Sequence, residues 1–254
     1  MKLTTHLISG AGNTFHICYG VPLSSDEVRR RISMKICAEQ PADGFIFLTE
    51  SSDGFRWEFY NNDGSRAEMC GNATRCVGLY AKNILHSPLE SWNLATAAGN
   101  VNIRSISSEM YRIVMTPITL LESSHGFYAD TGVPHLVLHV QNYAANPELR
   151  ATAAILRHHQ DFMPKGTNVT FVSFGQSISS VTAISFERGV EDFTLACGTG
   201  AAAAAAYNLK FRGALQTEVE MPGGSLIMDL TDLQRPVMTG PAALLGSYEY
   251  EISE

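Results

Sequence analysis

The sequence has little positive charge, and its basic residues are scattered. It holds 18 lysines and arginines against 25 aspartates and glutamates, which gives a formal net charge of −7 at pH 7. No run or stripe of lysine and arginine, the usual sign of a nucleic-acid binder, interrupts this balance. We therefore expect no nucleic-acid partner.

Long apolar runs are also missing. No stretch approaches the roughly 18 uninterrupted apolar residues of a membrane-spanning helix, and the segment MKLTTHLISGAGN has no apolar core of signal-peptide length. The 254 residues, 45% hydrophobic and 17% charged, have the composition of a globular protein large enough for one domain or two. We expect a cytoplasmic protein without a membrane partner.

Cysteine is scarce, and its spacing fits neither a disulfide scaffold nor a zinc finger. No CxxC pair occurs, and the eight histidines are not paired with cysteines at finger-like spacing. We expect free thiols, as in a reducing compartment, and no metal site. The five cysteines are Cys18, Cys37, Cys70, Cys76 and Cys197.

Residue patterning predicts a chain in which strands outnumber helices. Alternating or β-branched runs predict strands at 14–20, 44–50, 55–61, 101–106, 111–116, 135–140, 168–174, 181–188 and 225–230. Segments with helical character are 24–40, which opens with a serine cap and an acidic turn, 72–85, 146–159 and 200–211. The pattern indicates a strand-rich α/β or α+β protein.

Two segments, one in each half of the chain, share a plan. WEFYNNDGSRAEMCGNATRC and ISFERGVEDFTLACGTGAAA each combine a strand, a polar loop with glycine, and a Cys-Gly pair that opens a helix. Their cysteines, Cys70 and Cys197, are separated by half the length of the chain. The repetition predicts two structurally similar halves. We assign residues 1–116 and the tail 238–254 to the first half, and 117–237 to the second.

A cysteine at the start of a helix is a candidate acid or base. The first turn presents unpaired N–H groups and about half a positive charge, which should lower the pKa of a thiol. Gly71 and Gly198, next to Cys70 and Cys197, let a carboxylate approach the backbone amides. Two such thiols on either side of one carbon would remove and deliver a proton, which inverts a stereocentre. The cysteines expected only to pack are Cys18, Cys37 and Cys76.

These motifs, with several shorter ones, resemble the diaminopimelate epimerase family. NNDGSRAEMCGNATRC, TGVPH, PKGTNVTFV, FERGVEDFTLACGTGAAAA, MPGGSL and VMTGPA occur in the family's order, and SGAGNTF is similar to its N-terminal substrate loop. The resemblance covers residues 9–243 and implies a cofactor-independent isomerase. Its reaction would interconvert L,L- and meso-2,6-diaminopimelate, on the way to lysine and peptidoglycan precursors.

The resemblance also implies a fold and a quaternary structure. The fold would be α+β, with two pseudo-symmetric halves. Each half would be a strand-rich, barrel-like sheet around a central helix, and the active site would lie in the cleft between them. A homodimer and a small amino-acid substrate are implied as well, but no metal and no cofactor.

The resemblance further assigns roles to individual residues. Cys70 and Cys197 would be the catalytic pair, and His135 with Glu187 would modulate their ionisation. An arginine suits a bidentate contact with the substrate's distal carboxylate, while carboxylate and amide oxygens suit its ammonium groups. The residues that would bind substrate are Asn13, Asn61, Gly71, Asn72, Asn168, Glu187, Arg188, Gly198 and Thr199.

Three positions depart from the commonest family pattern. Val133 stands where an asparagine usually contacts the distal end of the substrate, Gly44 replaces a frequent glutamine, and Ala73 replaces a glycine. These departures concern specificity, so a racemase of glutamate, histidine or a proline-like amino acid stays open as an alternative. A non-catalytic small-molecule binding module is a second one. A nucleotide-binding oxidoreductase is disfavoured, because SGAGNTF and CGTGAAAA lack the third glycine of the dinucleotide fingerprint.

Overall fold

The computed structural model describes residues 1–23, 25–141 and 147–252. The chain divides into two compact units. Unit 1 contains Met1–Ile113 together with the C-terminal segment from Gly240 onwards, and unit 2 contains Val114–Thr239. No helix within the described ranges is both long and apolar enough to cross a membrane.

The described residues form seventeen strands and four α-helices. The strands are β1 (Lys2–Gly10), β2 (Asn13–Tyr19), β3 (Gly44–Ser51), β4 (Gly54–Asn61), β5 (Ser91–Thr96), β6 (Gly99–Ser105), β7 (Met110–Val114), β8 (Thr119–Leu121), β9 (Phe127–Asp130), β10 (Pro134–His139), β11 (Asn168–Phe174), β12 (Ser180–Glu187), β13 (Asp192–Phe193), β14 (Gln216–Met221), β15 (Gly224–Asp229), β16 (Val237–Pro241) and β17 (Ala243–Glu251). The helices are α1 (Asp26–Glu39), α2 (Gly71–Leu79), α3 (Pro147–Arg157) and α4 (Gly198–Arg212). A π-helical turn, Tyr80–Ile84, continues α2, and a 3-10 turn, Gln160–Phe162, follows α3.

Unit 1 is a single curved sheet that packs around α2. Its strand order is β17-β1-β2-β3-β4-β5-β6-β7, with β2 parallel to β3, β4 parallel to β5, and all other neighbours antiparallel. The two parallel pairs require crossovers, and α1 and α2 provide them. Every residue of α2 after Gly71 is buried, and the helix packs against β1, β2, β6 and β17. The helix that begins after Cys70 is therefore the core of the unit.

Unit 2 repeats this plan with α4 at its centre. The order is β8-β9-β10-β11-β12-β14-β15-β16, and the two parallel pairs are β10 with β11 and β12 with β14. The crossovers are α3 and α4, in the positions that α1 and α2 hold in unit 1. The alanines of α4, residues 201–206, are all buried, since their small side chains let β9–β12 and β14–β15 pack close to the helix. The predicted α+β fold with two similar halves is confirmed.

Close contact between each central helix and its sheet depends on a glycine. A Cβ atom at Gly10 in β1 would lie 2.6 Å from the carbonyl oxygen of Asn72. One at Gly200 in α4 would lie 2.1 Å from Oγ of Ser185 in β12. Both distances are too short for a side chain, so each glycine fixes how closely the first helical turn approaches its sheet.

All nine predicted strands and four predicted helices are present. Ser25 caps α1 and acidic residues fill its first turn, as predicted; the predicted positions Ser24 and Asn146 lie outside the described residues. Eight strands were not predicted: β1, β5, β8, β9, β13, β14, β16 and β17. Strands such as β14 and β17 carry many charged or exposed residues: β14 buries only alternate residues, and β17 buries none of its residues fully.

Candidate active site

Cys70 is the residue immediately before α2, where the chain changes from extended to helical. Its backbone is extended, with φ −145° and ψ 122°, and its thiol does not cap the helix. The Cys70 carbonyl instead accepts hydrogen bonds from the backbone N–H of Thr74 at 2.9 Å and from the Thr74 hydroxyl at 2.8 Å. The half-buried sulfur is thus placed at the positive end of α2 without serving as its cap.

Arg75 places a positive charge beside this thiol. The residue is fully buried in α2, and burial lowers the pKa of its guanidinium to about 10, while the sulfurs of Cys76 and Cys70 act to raise it. The guanidinium is therefore protonated at neutral pH. It donates to Oδ1 of Asn72 at 2.8 Å and to the carbonyl of Gly71 at 3.4 Å. Sequence reasoning missed Arg75, although a charged residue inside a short helix of small and apolar residues is a signal of its own.

Two of the predicted substrate-binding residues meet at the start of α2. Asn72 donates from Nδ2 to Oδ1 of Asn13 at 2.6 Å, and Asn13 donates from Nδ2 to Asp43 at 3.2 Å. These bonds fix which end of each amide faces its neighbour. Asn61, at the end of β4, donates instead to the hydroxyl of Ser65 at 2.9 Å.

Cys197 occupies the equivalent position before α4, and its thiol does cap the helix. The backbone is extended, with φ −127° and ψ 110°, and the side chain is only 5% exposed. Its Sγ accepts from the N–H of Gly200 at 3.2 Å and lies 3.3 Å from the hydroxyl of Thr199. The carboxylate of Glu187 places a negative charge near the same thiol.

The expectation that the pKa of Cys197 lies below its usual value is wrong, although the helix start does act to lower it. Burial raises the pKa of this thiol well above its usual value, and the negative charge of Glu187 raises it further. The hydrogen bonds from Thr199 and Gly200 oppose this shift in part. Burial also raises the pKa of Glu187, although hydrogen bonds from Thr194 and Cys197 act against it. Desolvation therefore outweighs the helix dipole here.

His135 is linked to Cys197 through a hydroxyl group. The residue is fully buried in β10; its Nδ1 lies 2.8 Å from Oγ1 of Thr170, and its Nε2 lies 3.0 Å from Oγ1 of Thr199. Asn168 accepts from the backbone N–H of Arg188 through Oδ1, so its Nδ2 donates to Nε2 of His135, at 3.2 Å. These partners assign the proton to Nδ1. Burial, with a smaller contribution from the charge of Arg188, lowers the pKa of His135 to about 3, so the ring is neutral.

Arg188 directly follows the carboxylate that faces Cys197. Its side chain is exposed, and Nη1 donates to the carbonyl of Lys165 at 2.9 Å. One edge of the guanidinium is thereby anchored. The Arg188 guanidinium is thus held in place and can bind an anion through its other edge.

The other three cysteines are packing residues, as expected. Cys18, Cys37 and Cys76 are buried, and burial raises the pKa of each thiol, that of Cys37 to about 12. All five cysteines are free thiols. Among the departures from the family pattern, Gly44 has a structural reason: a Cβ atom there would lie 2.7 Å from the carbonyl oxygen of Tyr60.

Comparison with known proteins decides the family. The sequence profile described as diaminopimelate epimerase matches residues 11–119 and 127–245, which include both cysteine motifs. The chain belongs to the diaminopimelate epimerase family. The predicted family is thus confirmed, and with it the prediction of an isomerase of the epimerase class.

Curated members of the diaminopimelate epimerase family are similar over most of the chain. The enzyme named diaminopimelate epimerase from Chlamydia muridarum is 31% identical over 266 residues, covering 98% of this chain and 95% of its own length. The one from Carboxydothermus hydrogenoformans is 32% identical, with coverage of 95% and 97%. One from Helicobacter pylori is 38% identical over 223 residues and covers 77% of each chain.

Solved structures of more distant proteins share the fold. A phenazine biosynthesis protein of the PhzF family from Bacillus anthracis has a TM-score of 0.77 at 14% identity, covering 99% of this chain and all of its own. A probable proline racemase from Agrobacterium radiobacter has a TM-score of 0.68 at 14% identity and covers 99% and 93%. At such identities these similarities concern the fold of family members and not their substrates.

Proposed function

We propose that this protein is a diaminopimelate epimerase that interconverts L,L- and meso-2,6-diaminopimelate by proton transfer at the α carbon. The observation that carries the proposal is the paired placement of Cys70 and Cys197. Each directly precedes the buried central helix of its unit, and the matched family profile spans both. A binding module would need neither the repeated position nor charged groups beside both thiols.

In the proposed reaction the two thiols act as base and acid. The thiolate takes the α proton, the electron pair of the C–H bond moves into the carboxylate to give an enediolate, and the thiol returns a proton to the opposite face. One S–H bond forms and one breaks, so no oxidant or reductant is consumed. Backbone N–H groups of Gly71 and Asn72, and of Gly198 and Thr199, would bind the carboxylate on which the charge develops.

The charges beside the two thiols favour one protonation state of the pair before substrate binds. Cys70 lies beside the protonated guanidinium of Arg75, whereas Cys197 lies beside the carboxylate of Glu187. A positive neighbour favours an ionised thiol, and a negative neighbour favours a protonated one. We therefore assign the thiolate to Cys70 and the proton to Cys197 before substrate binds. This state can deprotonate only the isomer whose α hydrogen faces Cys70.

Glu187 and His135 are positioning residues in this proposal. When Cys197 gives its proton to the substrate, Glu187 can hold the next proton, because burial already raises its pKa. The pair then avoids two adjacent negative charges. Neutral His135 accepts from Asn168 through Nε2, and the Thr199 hydroxyl, 3.0 Å from the same nitrogen, keeps its proton for Cys197.

The remaining predicted contacts concern the rest of the substrate. Arg188 would take the distal carboxylate, and Asn168 would hold Arg188 through its backbone as well as contacting substrate. The residues Asn13, Asn61 and Asn72 would receive or donate hydrogen bonds at the polar groups. A cytoplasmic location and a homodimer stay predictions.

Exchange of the α proton with solvent tests the proposal. The reduced protein is incubated in D2O with L,L- or meso-diaminopimelate, and separately with glutamate, histidine and proline, while NMR follows loss of the α-proton signal. We expect exchange and epimerisation with diaminopimelate only. Exchange with another amino acid alone would move the function to the racemase alternative, and no exchange at all would leave the binding module.

Cysteine variants identify the acid–base pair in the same assay. Cys70→Ala and Cys197→Ala should each abolish inversion, because each leaves only one of the two groups. Cys37→Ala, in a buried cysteine of α1, is the matched control and should keep turnover. Inversion that survives in either of the first two variants would reject the paired-thiol mechanism.

A further inference from the structure

Three side chains of types that can bind a metal ion meet on unit 2, and in sequence they are far from both candidate catalytic cysteines. His125 precedes β9, while His159 and Asp161 lie at the 3-10 turn after α3. One ligand atom from each, two imidazole nitrogens and a carboxylate oxygen, lies within 4.8 Å of the other two. Two segments of the chain that are 36 residues apart in sequence thus contribute donors to one place.

The spacing of these atoms is close to that of ligands around one metal ion. Nε2 of His125 lies 2.7 Å from Oδ2 of Asp161, and Nδ1 of His159 lies 3.6 Å from the same oxygen. Ligands at about 2.0–2.2 Å from a zinc ion are roughly 3–4 Å from one another. A bound ion would require the pair at 2.7 Å to move apart to about 3–4 Å, while the pair at 3.6 Å already has that spacing.

Neighbouring groups restrict the two imidazoles. Nδ1 of His159 accepts a hydrogen bond from the backbone N–H of Asp161 at 3.3 Å, which directs its lone pair toward that residue. The buried ring of Phe162 packs at 5.5 Å from the His125 ring and 6.2 Å from the His159 ring, centroid to centroid. Each imidazole nitrogen has one lone pair, so a bound ion would take the place of the hydrogen bonds that join His125 and His159 to Asp161.

We propose that His125, His159 and Asp161 form a binding site for a divalent transition-metal ion of the zinc class. Two imidazoles and one carboxylate suit Zn²⁺, Co²⁺ and Ni²⁺, whereas Mg²⁺ and Ca²⁺ prefer a set made of oxygens. Three protein ligands leave at least one position for water. Since the ligands come from two segments of unit 2, a bound ion stabilises the folded unit.

The site does not follow from sequence patterning, which predicts no metal. Zinc motifs are recognised by short spacings within a pair of ligands, and here only His159 and Asp161 are close in sequence. The third ligand, His125, reaches them through the fold, because the segment before β9 packs against the 3-10 turn through the aromatic rings of His125 and Phe162.

Co²⁺ is the probe for this site, because its visible spectrum reports coordination and because sulfur ligands add a charge-transfer band in the near ultraviolet. The reduced full-length protein is titrated with Co²⁺, and its thermal midpoint is measured with and without the ion. His125→Ala and Asp161→Asn each remove a ligand. His158→Ala removes an exposed histidine next to the cluster and is the matched control.

We expect one Co²⁺ per chain, no sulfur charge-transfer band, and a higher thermal midpoint with the ion in the wild type and in His158→Ala. Affinity should fall at least tenfold in His125→Ala and in Asp161→Asn, and the shift in midpoint should disappear. The thermal midpoint without metal shows whether each variant folds, and one folded variant is enough to test the proposal. No binding to the wild type, equal binding in all variants, or a sulfur band would overturn the proposal. Epimerase activity should be unchanged in His125→Ala, which separates this test from that of the proposed function.

Discussion

In unit 2 the carboxylate of Glu187 lies close enough to the buried thiol of Cys197 for its negative charge to raise the pKa of that thiol. A candidate catalytic thiol therefore faces a negative charge where the helix start alone would favour its ionisation. The equivalent thiol of unit 1, Cys70, has the guanidinium of Arg75 as its charged neighbour. Two equivalent positions in a repeated fold thus carry opposite electrostatic surroundings, which an acid and a base each require.

Removing the charge of Glu187 should make Cys197 easier to ionise. In Glu187→Gln the pKa of the Cys197 thiol should fall, because the negative charge that raises it is lost. The pH dependence of iodoacetamide labelling, followed by mass spectrometry at Cys197, measures this shift, and kcat should fall at least tenfold. Glu191→Gln, in an exposed carboxylate nearby in sequence, is the control. An unchanged labelling profile in Glu187→Gln would contradict the assigned pairing.

Arg75 should control the reactivity of Cys70. In Arg75→Met the positive charge beside the thiol is lost, so labelling of Cys70 should slow at least tenfold at neutral pH and epimerase activity should fall with it. The apolar replacement fits a buried position, which limits the loss of stability. Arg75→Lys keeps the charge but not the fork that contacts Asn72 and Gly71, so labelling should recover more than activity. Arg104→Met, on the exposed face of β6, should change neither quantity.

The residues in these two tests differ in how far the sequence alone identifies them. The motifs around Cys70 and Cys197 indicated both thiols, because a Cys-Gly pair at a predicted helix start occurs twice. Arg75 lies within the same motif, but its burial follows from α2 being enclosed by its sheet, which no local pattern contains. Glu187 was identified by resemblance alone. That it raises the pKa of Cys197 depends on a contact across ten residues of chain, formed by β12 and the start of α4.

The strands also differ in how well the sequence alone predicts them. β11 and β3 are rich in β-branched and aromatic residues and buried on both faces, so composition alone predicts them. β1 and β17 pair with each other from opposite ends of the chain, and β17 buries few of its side chains. Its pairing is decided by the open backbone edge of β1, and an edge has no signature in local sequence.

Acid should unfold the protein partly through protonation of His135. Its folded-state pKa of about 3 is below the ordinary value of 6.5. The unfolded chain therefore binds more protons between these values, and stability present above pH 6.5 is lost as pH falls, by up to about 1.4 kcal/mol per pH unit. In His135→Gln the slope of unfolding free energy against pH, from urea denaturation at pH 4 to 7, should be smaller. His158→Gln, in an exposed histidine, should keep the wild-type slope. Equal slopes in all three proteins would contradict this account.

Thr199 should affect Cys197 through its hydroxyl group alone. The Oγ1 atom lies 3.3 Å from Sγ of Cys197 and 3.0 Å from Nε2 of His135, and its hydrogen bond acts to lower the pKa of the thiol. Thr199→Val keeps the shape and removes this bond, so the basic limb of the kcat/KM profile should move to higher pH and kcat should fall about tenfold. Thr199→Ser restores the hydroxyl and should return both the limb and most of the rate. If Thr199 had only a structural role, the two variants would change the rate without moving the basic limb of the profile. A basic limb at the wild-type pH in Thr199→Val would therefore reject the assigned contact.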